Sequence, residues 1–321
     1  MHLQRRALQA LMVLLTITSA QAQTSQQPIR IVFPSPAGGA GDTLVRMLAE
    51  SMQNSLGRPV IVENKAGAGG RIGVLAVKDA PADGNVLLVT PVGPMAVFPH
   101  VYEKLGYDPA IDFKPISQIA TFDLGVAVGA SIPVKSLQEL VGWLKSNPAQ
   151  ASYGSPAAGS LPHFLAIQLG RMTGSDLRHV VYKGSPPAIT DLIGGHLPAY
   201  FGPTQELVEA HKAGNIKILA TSGATRSHVL SDVPTFREAG YPIEAAIWFG
   251  VYAPGRTPPE VIARLNMTIV AAIQTREIKA RMLTLGMNPT GTSSAELAKI
   301  QQADFERWGP IIRASGFQPD Q

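Results

Sequence analysis

The chain has 321 residues, 45% of them hydrophobic, with 27 Lys and Arg against 23 Asp and Glu for a net charge of +4. That charge is too small, and too evenly spread, for a nucleic-acid binder, because no basic stripe with interleaved aromatics occurs. Cysteine is absent, which excludes disulfides, thiol chemistry, cysteine-ligated metals and a lipid-bearing N-terminal cysteine.

The first expected element is a signal peptide over residues 1–22. Arg5 and Arg6 precede an apolar stretch, Ala7 to Ala20, that is too short to span a bilayer comfortably. Ala20-Gln21-Ala22 supplies small residues for cleavage after Ala22, which would lower the net charge to about +2. The expected compartment is the periplasm, with a mature chain long enough for two domains.

Ile29 to Phe33 reads as a strand, followed by a Pro- and Gly-rich loop and then a helix. Leu44, Met47, Leu48, Met52 and Leu56 follow the helical period, and Gly57 closes the helix. Val60 to Val62 is a second strand, Asn64 to Gly70 a second Gly-rich loop, Ile72 to Lys78 a helix and Val86 to Thr90 a third strand. The same grammar recurs from Leu124 to Val128, with helices over Ser136 to Lys145 and Leu161 to Met172. The strand His179 to Tyr182, the loop Lys183 to Ser185, a helix from Pro186 to Ile193 and the strand Ile216 to Thr221 continue it. Ala246 to Ala253 is a strand, and helical patterns follow over Pro258 to Gln274, Glu277 to Leu285 and Ser294 to Ala314, expected to cover the first domain. Alternating strands and helices predict an α/β fold with mostly parallel sheets. The expected division is residues 28–124 plus 246–321 as lobe 1 and 125–245 as lobe 2, joined by two crossings.

Three loops have a physical reason to bind an anion. In Pro34 to Asp42, Gly38, Gly39 and Gly41 permit close backbone approach, and the following helix turns its unpaired N–H groups toward the same place. Lys183-Gly184-Ser185 sets a cation beside another helix start. Ser155 and Ser160 flank Ala157, Ala158 and Gly159, with His163 three residues on. A serine hydrolase would use one of those serines with His163 as base, yet no G-x-S-x-G elbow is present. Neither glycine loop has nucleotide-binding spacing, and the histidines lack metal-ligand spacing. No cofactor and no metal are expected. Trp248 and Phe249 read as core, and Asp108 with Asp112 as turn chemistry.

Ordered blocks along nearly the whole chain carry a family resemblance. They include Pro28 to Pro34, Gly38-Gly39 with Asp42 and Arg46, and Val62 to Gly70 with Ile72-Gly73. Further blocks are Asp83-Gly84, Tyr107-Asp108-Pro109, Val181 to Gly184, Gly194-Gly195, Val233-Pro234-Thr235 and Trp248-Phe249-Gly250. With these the chain resembles the Bug-type receptors of the tripartite tricarboxylate transporter family. The resemblance implies a two-lobed periplasmic binding protein (a Venus flytrap) with a two-strand hinge. It also implies a carboxylate ligand held by backbone amides and water between the lobes, and membrane transporter subunits as partners. The implied ligand-binding residues are Ser35, Pro36, Ala37, Gly38, Gly39, Asp42, Asn64, Gly67, Ala68, Gly69, Thr90, Ser155, Ala158, Ser160, His163, Tyr182, Lys183, Gly184 and Ser185. No catalytic residue, and a monomer, are expected. The chain departs from the family at Ser35-Pro36-Ala37 and at His196-Leu197-Pro198, where the family places an aspartate that would help orient an amino group. A ligand-sensing adaptor to a membrane sensor would use the same clamp.

Overall fold

A computed structural model describes residues 27–318; the expected signal peptide lies outside the described residues. The described residues form ten strands. They are β1 Ile29–Phe33, β2 Val60–Asn64, β3 Val86–Pro91, β4 Phe113–Gly129, β5 Ser152–Ser155, β6 Arg178–Val181, β7 Ala199–Pro203, β8 Ile216–Thr221, β9 Ala246–Pro254 and β10 Asn288–Pro289. The helices are α1 Ala40–Leu56, α2 Arg71–Lys78, α3 Leu137–Ser146, α4 Leu161–Thr173, α5 Ser185–Ile193, α6 Val208–Lys212, α7 Pro259–Ile273, α8 Arg276–Thr284 and α9 Ser294–Ser315. No helix among the described residues is long and apolar enough to cross a membrane.

The strands run in the order β2-β1-β3-β9-β4-β7-β5-β6, with β8 and β10 also paired to β4. The outer pairings are parallel: β1 with β2 and β3, and β5 with β6 and β7. The central ones are antiparallel, β9 with β3 and β4, and β4 with β7 and β8. The reason is direction of travel. β4 carries the chain out of the first half, and β9 brings it back alongside, from Asp123↔Ala246 to Phe113↔Pro254. Seventeen residues of extended chain reach roughly 55 Å, so one strand serves both halves.

Burial explains the helices. In α1 the face Leu44, Val45, Leu48, Ala49 and Met52 is buried, and Gly57 closes it at φ 64°, a left-handed conformation suited to glycine. Each such fully buried Leu contributes roughly 1.5–3 kcal/mol. Ser136 caps α3 by accepting from the Glu139 N–H, and Ser293 with Glu296 forms a reciprocal cap on α9. The expected N-cap of α5 moves by one: Gly184 holds that place and Ser185 is the first helical residue, with Pro186 next. The second half has helices on both faces of its sheet, α3 and α4 on one and α5 and α6 on the other.

The two chain crossings meet at Ser222, which is fully buried. Its backbone N–H donates to the Leu124 carbonyl (2.8 Å), while its Oγ accepts from the Leu124 N–H (2.9 Å) and donates to the Ala245 carbonyl (2.6 Å). The last helix does more than cover the first half. It starts against β4, where Ser294 Oγ donates to the Pro115 carbonyl, and it ends on α4. There Arg171 donates to the carbonyls of Ala314 and Ser315, and the Phe317 ring stands edge-on to His163 at 4.7 Å.

Candidate functional site

The C-terminal ends of β1, β2, β3, β5, β6 and β7 all open on one cavity of about 210 Å³. That volume is below the roughly 300–1,000 Å³ of sites for drug-sized ligands, so a small molecule fits it. Its rim from the first half is Pro34 to Pro36 with Gly39, then Ala66 to Gly69, then Pro91 to Pro94. Its rim from the second half is Pro156 and Ala157, Ser160 to Pro162, Lys183 to Pro186, and Pro203 with Gln205 and Glu206. Phe33, Phe98, Phe122, Leu124, Ile247 and Phe249 form apolar walls.

Three close approaches cross the cavity. A Cβ added to Gly39 would stand 2.9 Å from both Glu206 carboxylate oxygens. One on Gly184 would stand 2.9 Å from Pro36 Cγ, and one on Gly69 would stand 3.8 Å from Ala157 Cβ. Gly184 also holds φ +99°, which an L side chain adopts only with strain. Ala68, on the same rim, holds φ 47°, a left-handed conformation costing a non-glycine residue roughly 1–2 kcal/mol.

Of the implied binding residues, Ser35, Pro36, Gly39, Asp42, Gly67, Ala68, Gly69, Ser160, Lys183, Gly184 and Ser185 line this cavity. The remainder stand outside its lining. Ala37 and Gly38 face outward and are exposed, and Ala158 lies off the rim. Asn64 stands behind the first loop, donating to the Ser35 carbonyl (3.2 Å) and to Asp42 Oδ1 (2.8 Å). Thr90 is fully buried in β3 and donates to the Pro91 carbonyl. Tyr182 donates to Asp191 at 2.7 Å.

His163 and Ser155 need a correction of place. His163 is buried, and its Nδ1 accepts from the Gly159 N–H at 3.0 Å, so it shapes the loop from behind instead of reaching the cavity. Ser160 Oγ donates to the Ala157 carbonyl, so the Ser160–His163 pair that a hydrolase would need is not formed. Ser155 Oγ is fully buried and lies 2.7 Å from His179 Nε2, whose ring stacks on His163 at 4.0 Å. Burial and the neighbouring His179 push His163 down to about 3, and burial pushes His179 down to about 4, so both rings are neutral at pH 7.

Asp42 lines the cavity with a carboxylate already engaged. Oδ2 accepts from the Gly38 N–H (3.0 Å) and from Arg46 Nε (2.9 Å), and Oδ1 accepts from Asn64. Burial by itself would raise this acid, but the Arg46, Gly38 and Asn64 hydrogen bonds outweigh it and hold the pKa below the ordinary 3.8.

Two residues here were not anticipated. Gln205 and Glu206 lie on a short turn, Thr204–Glu206, directly after β7. The Glu206 carboxylate reaches across the cavity to the start of α1, where both of its oxygens would stand 2.9 Å from a Cβ on Gly39, the N-cap residue. Burial raises its pKa above the ordinary 4.5, the nearby Ala40 and Gly41 backbone opposes that rise, and nearby Asp42 adds to it. Gln205 is buried, and its Oε1 has no hydrogen-bond partner among the described residues. Phe249, read as core, is buried and also walls the cavity; Trp248 is core, donating to Asp304 at 2.6 Å. Asp108 and Asp112 do turn work, each accepting backbone N–H bonds within their loop.

Residues 44–317 match the family described as the tripartite tricarboxylate transporter family receptor. The chain belongs to that family. BugT of Bordetella pertussis is 33% identical over 292 residues, which is 90% of this chain and 90% of BugT. Rpa4515 of R. palustris, solved with adipate, is 32% identical with a TM-score of 0.88, over 92% of this chain and 99% of its own. MatC from Rhodopseudomonas palustris, solved with bound malate, is 28% identical with a TM-score of 0.83, over 89% and 98%. The fold is therefore that of a two-lobed periplasmic binding protein, and the family is one of solute-binding receptors.

Proposed function

We propose that this receptor works in the periplasm, closes its two lobes on a small organic acid in the cavity described above, and passes it to the membrane subunits of a tripartite transporter. The lobes are residues 28–124 with 246–321, and residues 125–245, hinged where Ser222 ties Leu124 to Ala245. The observation that carries the reading is the set of approaches Gly39–Glu206, Gly184–Pro36 and Gly69–Ala157, because only a site built from both lobes can couple binding to closure. The ligand-bound relatives, one with adipate and one with malate, support an acid as the ligand class. Lys183 is the one ammonium among the lining residues, and with the α4 start at Ser160 it would hold the anionic head group. The apolar walls would take the carbon chain.

A thermal-shift panel of organic acids tests this. An acid at 100 times its Kd stabilises the folded protein by about 2.7 kcal/mol. Failure of every acid in a broad panel to raise the melting temperature would refute the reading.

A further inference from the structure

We propose that Glu206 sets the specificity of the cleft, and that the ligand is a monocarboxylate carrying a hydrogen-bond donor, such as an amide, ammonium or hydroxyl group, at its other end. This rests on the acid-binding reading above and narrows it.

The inference starts from who occupies the start of α1. Helix N-termini attract carboxylates because their first N–H groups have no partner within the helix. Here that place is taken by the protein itself. The Glu206 carboxylate sits against Gly39, the N-cap of α1, and Asp42 accepts from the Gly38 N–H. A ligand carboxylate aimed at α1 would meet two fixed carboxylates before it met an amide. The charged residues lining the cavity are Asp42, Glu206 and Lys183, two acids against one base. One carboxylate can pair with Lys183. A second would enter a desolvated space whose remaining charge is negative, where repulsion is poorly screened.

The unmet needs of the turn point the same way. The Glu206 carboxylate lines the cavity and offers about four lone-pair positions to a donor. Gln205 beside it lines the cavity with Oε1 unpartnered among the described residues. A carboxylate that lines the cavity, beside an acceptor with no partner among the described residues, defines a place for a donor. A donor reaching an ionised acceptor contributes about 1.5–3 kcal/mol, or roughly ten- to a hundredfold in affinity.

Length-matched ligands test this by isothermal titration of the full chain. The six-carbon set is adipate, its monoamide and 6-aminohexanoate; the four-carbon set is succinate, succinamate and 4-aminobutyrate. The expected result is that an amide or amine member binds at least about tenfold more tightly than the dicarboxylate of its length. Glu206→Gln, checked for an intact unliganded melting transition, should shrink that ratio below about threefold by weakening the donor-bearing ligand and strengthening the dicarboxylate. The wild-type ranking is read without the variant, so a misfolded Glu206→Gln does not shelter the idea. Preference of the wild type for a dicarboxylate, or an unchanged ratio in a folded variant, overturns the specificity role while leaving acid binding intact. Binding of no acid, in these sets or the wider panel, overturns both.

Discussion

The two rims of the cavity are built alike and furnished differently. Each has loops at the ends of parallel strands, glycines at the points of closest approach, and helices that start beside the cavity. On the first rim the start of α1 is already occupied: Asp42 of α1 accepts from the Gly38 N–H, and the Glu206 carboxylate from across the cleft sits against the Gly39 N-cap. On the second rim α5 starts at Ser185 and continues with Pro186 and Pro187, which have no N–H to offer, and the exposed Lys183 supplies the charge. A helix start in a cleft is thus no guarantee of an open anion site. What decides it is whether another part of the chain has already filled it.

Changes at the contacts and residues that define the two rims should break the comparison, in a graded order. Gly39→Val should act most strongly. The Gly39 backbone, at φ −81°, accepts any residue, so its whole effect comes from a side chain driven into the Glu206 carboxylate. Overpacking of this kind costs about 1–3 kcal/mol, and here it also holds the rims apart. Titration should show acid affinity reduced by about a hundredfold or more. Ser222→Ala comes next. It strands the buried Leu124 N–H and Ala245 carbonyl, so denaturant melts should show a loss of about 1–3 kcal/mol.

Lys183→Ala should sharpen the comparison by removing the second rim's cation. Affinity for an acid should fall about tenfold, and its dependence on salt should flatten. The smallest effect is one of sign. The Asp42 pKa is lowered on folding, so its contribution is present above the ordinary 3.8 and lost as pH falls through the folded value; Asp42→Asn should remove that acid-side loss. The Glu206 pKa is raised, so its contribution is present below the ordinary 4.5 and lost as pH rises through the higher folded value. Measured against Glu206→Gln, the wild type should therefore lose melting temperature as pH rises from the acid side toward neutrality.

The first rim was the more legible in the amino-acid sequence, because its strands are short apolar runs and its loops are marked by glycine and proline. Ile29 to Phe33 and the Gly57 cap both stand where their residue types place them. The first half of β4 did not show itself. Lys114, Pro115, Ser117, Gln118 and Asp123 interrupt it, and Ser117 and Gln118 are buried by hydrogen bonds to Thr292 that no local pattern reveals. Strand β7 is not among the elements expected from the sequence, because Gly202 and Pro203 cut its apolar run to three residues, and the turn bearing Gln205 and Glu206 follows it unmarked. A strand followed at once by Thr-Gln-Glu was the available signal. His163 had the right chemistry for a site but the wrong side of its loop, which only the packing of Phe317 and His179 decides.

Amide hydrogen exchange with and without a bound acid tests the central claim most directly. If one small molecule is gripped by both lobes, amides at 35–39 and at 183–185 should become protected together, at the same ligand concentration and with one ligand per chain. Protection confined to one of the two segments, at saturating acid, would contradict it.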